Sequence, residues 1–190
     1  SGSLSVGKTP EYFIKWVNYF LENWRDSKVS KELAKAGLNT NQKPVMKGLH
    51  FVQIDEFYPI EPSQHNSFIH YVKNFYIKGF GLDPEKCLLI DPSKIGLKEG
   101  EELLDYWPDY HVDLSLRYRQ PKNGIEEKQK SLIAKIDQWC MEYEKKIRRL
   151  GGIGFFLGGI GPDGHIGFNI KGSDHYSTTR LCSTNYETQA

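Results

Sequence analysis

Apolar residues recur along the chain in two patterns, as stripes at helical spacing and as short continuous runs. A first stripe predicts an amphipathic helix that begins with Thr9 as the N-cap and Pro10 in the first turn and ends near residue 24. A second stripe predicts a longer helix over residues 125–150, terminated by Gly151 and Gly152. The first stripe contains Phe13, Val17, Phe20, Leu21 and Trp24, and the second contains Leu132, Ile133, Ile136, Cys140, Tyr143 and Ile147.

The short apolar runs predict strands that alternate with the helices. This alternation is typical of an α/β fold with a doubly wound, mostly parallel sheet flanked by helices, a Rossmann-like arrangement. Residues 93–129 interrupt it, because they are polar and predict an insertion with its own short helix or hairpin. We expect residues 1–190 to be one incomplete domain, an internal segment of a longer protein. The predicted strands lie at residues 4–6, 50–54, 87–90 and 153–157, the last one buried, and the further helices at 30–37 and 67–76.

Composition narrows the class of protein without identifying a reaction. The net charge of +1, with 26% charged and 38% hydrophobic residues, gives no global attraction to nucleic acid or to an anionic membrane. No apolar run reaches the roughly 18 residues that a membrane-spanning helix needs. Cys87, Cys140 and Cys182 are widely spaced and indicate neither a disulfide framework nor a zinc site. These features favour a soluble protein of the reducing cytoplasm.

Three polar turns follow predicted strands, and a parallel sheet places its ligand crevice beyond the carboxyl ends of its strands. Residues 7–9 offer backbone N–H groups, a helix N-terminus and a lysine to an anion such as phosphate. The turn at Asp55 offers a carboxylate as a general base. In the glycine-rich run 158–165, Asp163 could hold the imidazole of His165 in one tautomer. We expect all three turns to face one common crevice.

Each turn also has an ordinary structural explanation. Residues 7–9 are equally well explained as a capped helix start, and a lone strand-end aspartate more often caps the next turn. For the third turn, the alternative is that His165 is a hydrogen-bonded histidine of the core. Residues 2–9 also match the phosphate-loop pattern of nucleotide triphosphatases, with the strand before Asp55 as a magnesium-holding partner. Against that alternative, Leu4 and Val6 have the character of strand residues, whereas the nucleotide loop needs its strand before Gly2.

Longer motifs identify a family. Residues 158–169, Gly-Gly-Ile-Gly-Pro-Asp-Gly-His-Ile-Gly-Phe-Asn, resemble the glucosamine-6-phosphate deaminase signature Gly-Gly-x-Gly-x-Asp-Gly-His-Ile-x-Phe-Asn. Residues 54–57, Ile-Asp-Glu-Phe, resemble that family's Met-Asp-Glu-Tyr turn, and residues 7–10, Gly-Lys-Thr-Pro, resemble its Gly-Gly-Thr-Pro phosphate loop. Order and spacing agree over most of the chain. The sequence therefore resembles the glucosamine-6-phosphate deaminase/isomerase family, which is related to the 6-phosphogluconolactonases.

The resemblance implies a reaction and a role for each site residue. Such enzymes open the pyranose ring of glucosamine 6-phosphate, move a proton between C2 and C1, and release ammonia to give fructose 6-phosphate, without a metal or an organic cofactor. By position, Asp55 would be the proton-transferring base, and His165, oriented by Asp163, would assist ring opening. The implied substrate-binding residues are Gly7, Lys8, Thr9, Glu56, Gly158, Gly159 and Gly167, and Ser173 and Arg180 fall on positions of a second, regulatory phosphate site.

The sequence departs from the family pattern after the Phe-Asn pair. The family has a glutamate there that supports the catalytic histidine, whereas this chain has Ile170, which cannot accept a proton. A non-catalytic sugar-phosphate sensor on the same fold is therefore an alternative. A lactonase is disfavoured, because those enzymes continue with Thr-Ala-Ser after the Asp-Gly-His turn. The implied partner is a sugar phosphate, with no nucleic acid and no membrane, and a homo-oligomer is left open.

Overall fold

Within the described residues, four short parallel strands form the sheet, and their order is β3-β2-β1-β4. The computed structural model describes residues 10–184 and, as backbone, residues 2–4. The strand order reverses between β1 and β4, which is the point where doubly wound sheets open their ligand crevice. The predicted α/β fold with a parallel sheet is confirmed. The strands are β1 (Gly2–Leu4), β2 (Phe51–Val52), β3 (Cys87–Leu88) and β4 (Phe155–Leu157).

Helices connect the strands at the predicted places. Asp26 caps the second helix by accepting the N–H groups of Lys28 and Val29, and Asn123 caps the longest helix. Within the described residues, no helix combines the length and the apolar composition that crossing a bilayer requires. The helices are α1 (Glu11–Glu22), α2 (Ser27–Lys35), α3 (Phe68–Tyr71), which continues as a π-helix over Val72–Lys78, and α4 (Gly124–Arg149).

Side chains alternate across strand β2, and this alternation places helices on both faces of the sheet. Phe51 packs with Ile14 of α1 and with Tyr76 of the π-helix. Val52, which points to the opposite face, is fully buried and shares a cavity lining with Ile136 of α4. The sheet therefore lies between α1 and α3 on one side and α4 on the other.

The predicted insertion at residues 93–129 ends in the first turns of α4, and its residues 93–123 pack against that helix. Leu103, Trp107 and Leu116 are buried in one cluster with the apolar face of α4, and the Trp107 indole N–H donates to the Tyr58 hydroxyl at 3.1 Å. The short helix predicted for this segment is present as 3-10 helices rather than as an α-helix, and 3-10 helices are typical of short connecting pieces. These helices are Leu103–Asp105 and Leu114–Arg117, preceded by Pro92–Lys94.

Two apolar stretches are more exposed than the sequence predicts. In α1 the buried stripe runs through Ile14 and Leu21, whereas Phe13 is partly exposed, so the helix presents a slightly different face to the core. Strand β4 was predicted to be buried, but Phe155 and Phe156 are exposed. Among the described residues, β4 is the outermost strand of the sheet and pairs with β1 alone, so few described side chains pack over its faces.

Adjacent leucines in the insertion give a matched test of its packing. Leu103 is 1% exposed and Leu104 is 43% exposed. Leu103→Ala should lower the free energy of unfolding by roughly 2–5 kcal/mol, because it leaves a cavity against α4. Leu104→Ala should change it by about 0.5 kcal/mol or less. Urea denaturation measures both, and equal effects would mean that the insertion is not part of the core.

Candidate active site

The carboxylate of Asp55 lies where the chain leaves β2, at the carboxyl end of the sheet. Its Oδ1 atom is buried and has no hydrogen-bond partner in the described part of the chain. Burial disfavours the charged form, and the negative charge of Glu56 adds to this, so the pKa of Asp55 is raised to about 7. A carboxyl group with this pKa can both accept and release a proton near neutral pH.

Glu56 follows Asp55 in the chain, and its carboxylate accepts hydrogen bonds from backbone N–H groups and from a serine hydroxyl. It accepts the backbone N–H groups of Phe57 and Phe68 at 2.9 Å each, that of Ile69 at 2.7 Å, and the Ser67 hydroxyl at 3.1 Å. Burial raises the pKa of Glu56, and these hydrogen bonds act in the opposite direction. Glu56 therefore anchors the start of α3, where backbone N–H groups lack helical acceptors. Its contact with substrate stays a prediction.

Two residues that the sequence patterns did not assign to the site support this strand end. Gln53 is fully buried, and its side-chain amide donates to the Asp55 carbonyl at 3.0 Å and accepts the Ile90 N–H at 2.9 Å. The hydroxyl of Tyr143, from α4, donates to the Gln53 carbonyl at 2.6 Å. The signal that could have found Gln53 is a polar residue within an apolar strand run.

A tight turn holds Asp163 and His165 in the loop after β4. The Gly164 N–H donates to the Gly161 carbonyl, and the Gly161 N–H donates to the His165 carbonyl, both at 2.9 Å. Gly164 has a φ of +85°, a conformation that favours glycine. The carboxylate of Asp163 bonds the Nδ1 atom of His165, whose ring lies so close over Gly161 that a side chain there would collide with it. The imidazole is therefore fixed from two sides.

A second turn brings the same loop against Asp55. Gly167 and Phe168 form the corner of a two-residue turn, with a φ of +59° at Gly167. A Cβ atom at Gly167 would lie 3.3 Å from the Asp55 Oδ2 atom, so glycine allows this close approach. The Phe168 ring contacts the Phe57 ring with centroids 4.9 Å apart. The loop after β4 and the turn after β2 thus meet beside the Asp55 carboxylate.

A cavity of about 320 Å³ opens at this junction. Asp55 lines it together with Phe168 and Asn169 from the loop, apolar residues of α4, and the segment at residues 177–182. His165 is not among the described lining residues. The prediction that Asp55 and His165 face one crevice therefore stays a prediction, and the observed junction involves the residues that follow His165.

One of the two predicted regulatory residues, Arg180, lies at this cavity. Its guanidinium donates to the Asn169 side-chain oxygen at 2.9 Å. The neighbouring Thr179 hydroxyl donates to the Glu144 carboxylate at 2.9 Å, which ties this segment to α4. Ser173 is half-buried in a turn between the loop and this segment. The binding of a regulatory phosphate by Ser173 and Arg180 stays a prediction.

The remaining predicted residues belong to the two glycine-rich segments. Gly7, Lys8 and Thr9 lie outside the described residues, so the phosphate loop stays a prediction. Gly158 and Gly159 follow β4 directly, and their contact with a sugar is likewise untested. Over residues 2–4 and 10–184, no group of three or more His, Cys, Asp or Glu side chains is arranged to hold a metal ion.

Strand β1 disfavours the nucleotide-hydrolase alternative. A nucleotide phosphate loop would begin at Gly2 and would need its strand before that residue. Instead, Gly2–Leu4 form the strand itself, paired with β2 and β4.

Curated proteins with similar sequences are named glucosamine-6-phosphate isomerases or deaminases. A glucosamine-6-phosphate isomerase from Candida albicans is 55% identical to this chain over 70 residues, which are 37% of this chain and 25% of the relative. A glucosamine-6-phosphate deaminase from Borrelia hermsii is 35% identical over 115 residues, 53% of this chain and 43% of the relative. The chain thus matches less than half the length of either curated relative. No family model matches the chain.

A solved structure has the same fold over nearly the whole chain. It is a monomeric glucosamine-6-phosphate deaminase of the NagB superfamily, with a TM-score of 0.59 and 18% sequence identity. The likeness covers 99% of this chain and 55% of that protein. At this level of identity the likeness bears on the fold alone.

The raised pKa of Asp55 predicts that ionising this group weakens the folded state. Between about pH 4 and 7 the folded protein binds more protons than the unfolded chain, so stability falls as pH rises through this window. Asp55→Asn, which cannot ionise, should therefore be more stable than the wild type by roughly 2–4 kcal/mol at about pH 8, and the difference should vanish near pH 4. Chemical denaturation over a pH series measures it.

Asp109→Asn is the matched control, because Asp109 is exposed on the insertion. Because the side chain is exposed, Asp109→Asn should change the free energy of unfolding by about 0.5 kcal/mol or less. A stability difference for Asp55→Asn that is the same at every pH would contradict the desolvation of Asp55.

Proposed function

Because the chain belongs to the glucosamine-6-phosphate deaminase/isomerase family, we propose that the intact protein converts an amino-sugar phosphate to a ketose phosphate. The reaction is that of glucosamine 6-phosphate with water, giving fructose 6-phosphate and ammonia. Ring opening exposes an aldehyde at C1, and a proton leaves C2 and is returned to C1. Water then replaces the nitrogen at C2, and ammonia is the leaving group.

The state of Asp55 is the observation that carries this proposal. The proton transfer needs a base that takes a proton from carbon and gives it back, so its pKa must lie near the working pH. Asp55 meets this requirement because burial raises its pKa to about 7, and its Oδ1 atom has no described partner within the protein. The residue lines a cavity that it shares with apolar side chains of α4 and with polar side chains of the segment at residues 177–182.

The pairing of Asp163 with His165 supports the ring-opening step. Asp163 engages the Nδ1 atom of His165, which leaves Nε2 as the nitrogen that can exchange a proton with the ring oxygen of the sugar. Gly161 lies against the imidazole ring and fixes its position from the other side. Residues 7–9 would bind the phosphate, with Lys8 as its counter-charge.

A sugar-phosphate sensor is the second candidate, and Ile170 is the observation that favours it. An apolar side chain stands where the family pattern has the glutamate that supports the histidine. A sensor would bind the same sugar phosphate without turnover. Its binding would be insensitive to the loss of the Asp55 carboxylate.

Turnover by the intact protein tests the proposal directly. The wild type should produce ammonia and fructose 6-phosphate in equal amounts from glucosamine 6-phosphate. Asp55→Asn should lower kcat by roughly 10²–10⁴-fold, because the general base is lost while the shape of the site is kept. Sugar-phosphate affinity, measured by calorimetry, should change little. Asp109→Asn is the control and should keep wild-type turnover.

Binding of glucosamine 6-phosphate without any ammonia release by the wild type would contradict the enzymatic proposal. If Asp55→Asn bound the sugar as tightly as that inactive wild type, the sensor would be supported instead.

Ile170→Glu separates the two candidates further. Ile170 is half-buried beside the loop that holds His165 and Phe168. In an enzyme, a carboxylate here should restore a partner for the imidazole and raise kcat by roughly tenfold. In a sensor whose other catalytic groups are unused, Ile170→Glu should leave turnover at background.

A further inference from the structure

The ladder between β2 and β3 changes its bonding pattern just before Asp55. Val52 pairs with Leu88, and the Gln53 N–H donates to the Leu88 carbonyl at 2.9 Å, as a parallel ladder requires. The next rung should run from the Ile90 N–H to the backbone carbonyl of Gln53. Instead, the Ile90 N–H donates to the side-chain Oε1 atom of Gln53 at 2.9 Å. The glutamine side chain therefore replaces its own backbone at the last rung.

This replacement lets the two strands separate without leaving a buried polar group unpaired. The backbone carbonyl that Gln53 withdraws from the ladder accepts the Tyr143 hydroxyl at 2.6 Å. An unpaired carbonyl in this buried position would cost about 1–3 kcal/mol. The sheet thus opens at its carboxyl end, where the cavity lies, with the help of one side chain from β2 and one from α4.

The other end of the same amide reaches the turn that carries Asp55. The Nε2 atom of Gln53 donates to the Asp55 backbone carbonyl at 3.0 Å, and it lies 3.5 Å from the Glu56 Oε2 atom. The orientation of the amide is determined by its neighbours, because the opposite one would set two donors against each other at Ile90. Gln53 is 0% exposed, so in the folded wild type these bonds are made to protein groups and not to bulk water.

We propose that Gln53 is a positioning residue, which holds the Asp55 carboxylate in the cavity by joining the end of β3 to the turn after β2. The inference rests on the proposed role of Asp55 as the proton-transferring base. A single side chain spans the two strands and the turn, so a shorter or apolar residue breaks the connection at one end at least. The turn would then relax towards solvent and displace the Asp55 carboxylate, and a displacement of about 1 Å can lower a rate by about 10²-fold.

The test compares Gln53→Met with Gln138→Met in the intact protein. Methionine keeps the length and volume of glutamine but makes neither hydrogen bond, and Gln138 is an exposed glutamine on α4. Carbon-13 NMR of the aspartate carboxyl groups follows the titration of Asp55, whose signal is assigned by its loss in Asp55→Asn. The titratable and charged groups that line the cavity around Asp55 are Glu56, Tyr58, Tyr143, Glu144 and Arg180, with the thiols of Cys140 and Cys182.

Gln53→Met should lower the pKa of Asp55 by about one unit or more, because the carboxylate gains water, whereas Gln138→Met should leave it unchanged. In the same proteins, Gln53→Met should lower kcat for glucosamine 6-phosphate by roughly 10–10²-fold with little change in KM. Gln53→Asn keeps the amide but is too short to bond both the Ile90 N–H and the Asp55 carbonyl, so it should change kcat and the pKa of Asp55 in the same direction. It replaces Gln53→Met in the test if that variant does not fold.

A folded Gln53 variant whose Asp55 titrates as in the wild type would overturn the positioning role, whatever its turnover. A wild type that shows no turnover, with a pKa shift still present in Gln53→Met, would overturn the proposed function and support the positioning role. The two failures are thereby distinguishable.

Discussion

The end of strand β2 is buried, and a buried strand end must find a partner for each of its polar groups. This constraint shapes the candidate site. The Gln53 carbonyl accepts the Tyr143 hydroxyl, and the Glu56 carboxylate accepts N–H groups at the start of α3. The side-chain amide of Gln53 accepts the Ile90 N–H and donates to the Asp55 carbonyl. Among the described atoms at this strand end, the Oδ1 atom of Asp55 is left without a partner. An unpaired carboxylate oxygen in a buried place is costly for the fold and is what a proton-transfer site requires.

Close packing against this strand end explains two glycines of the loop after β4. The loop approaches Asp55 so closely that a Cβ atom at Gly167 would lie 3.3 Å from the Asp55 Oδ2 atom. The imidazole of His165 occupies the space that a side chain at Gly161 would need. The rings of Phe57, Phe68 and Phe168 pack together where the two segments meet. The loop and the strand end therefore form one packed unit, although they lie about a hundred residues apart in the chain.

Local sequence was sufficient for the elements and for the residue types at the strand ends. The stripe of α4, the two glycines that end it and the run of Asp163 to His165 are all formed by neighbours in sequence, and the structure contains them. Contacts between segments that are distant in the sequence could not be predicted from local sequence patterns. Gln53 is hidden in an apolar run, the anchoring role of Glu56 depends on α3, and the exposure of Phe155 depends on which strand lies at the edge. The 3-10 turns of the insertion have no periodicity that a sequence pattern could detect.

The central claim is that the buried carboxylate of Asp55 reaches the carbon from which the proton leaves. A crystal structure of the intact protein with the open-chain analogue 2-amino-2-deoxyglucitol 6-phosphate measures this distance. The account predicts that C2 of the analogue lies about 3–3.5 Å from a carboxylate oxygen of Asp55, inside the cavity beside Phe168. An analogue bound with its C2 atom away from Asp55, and that carboxylate still enclosed by protein, would contradict it.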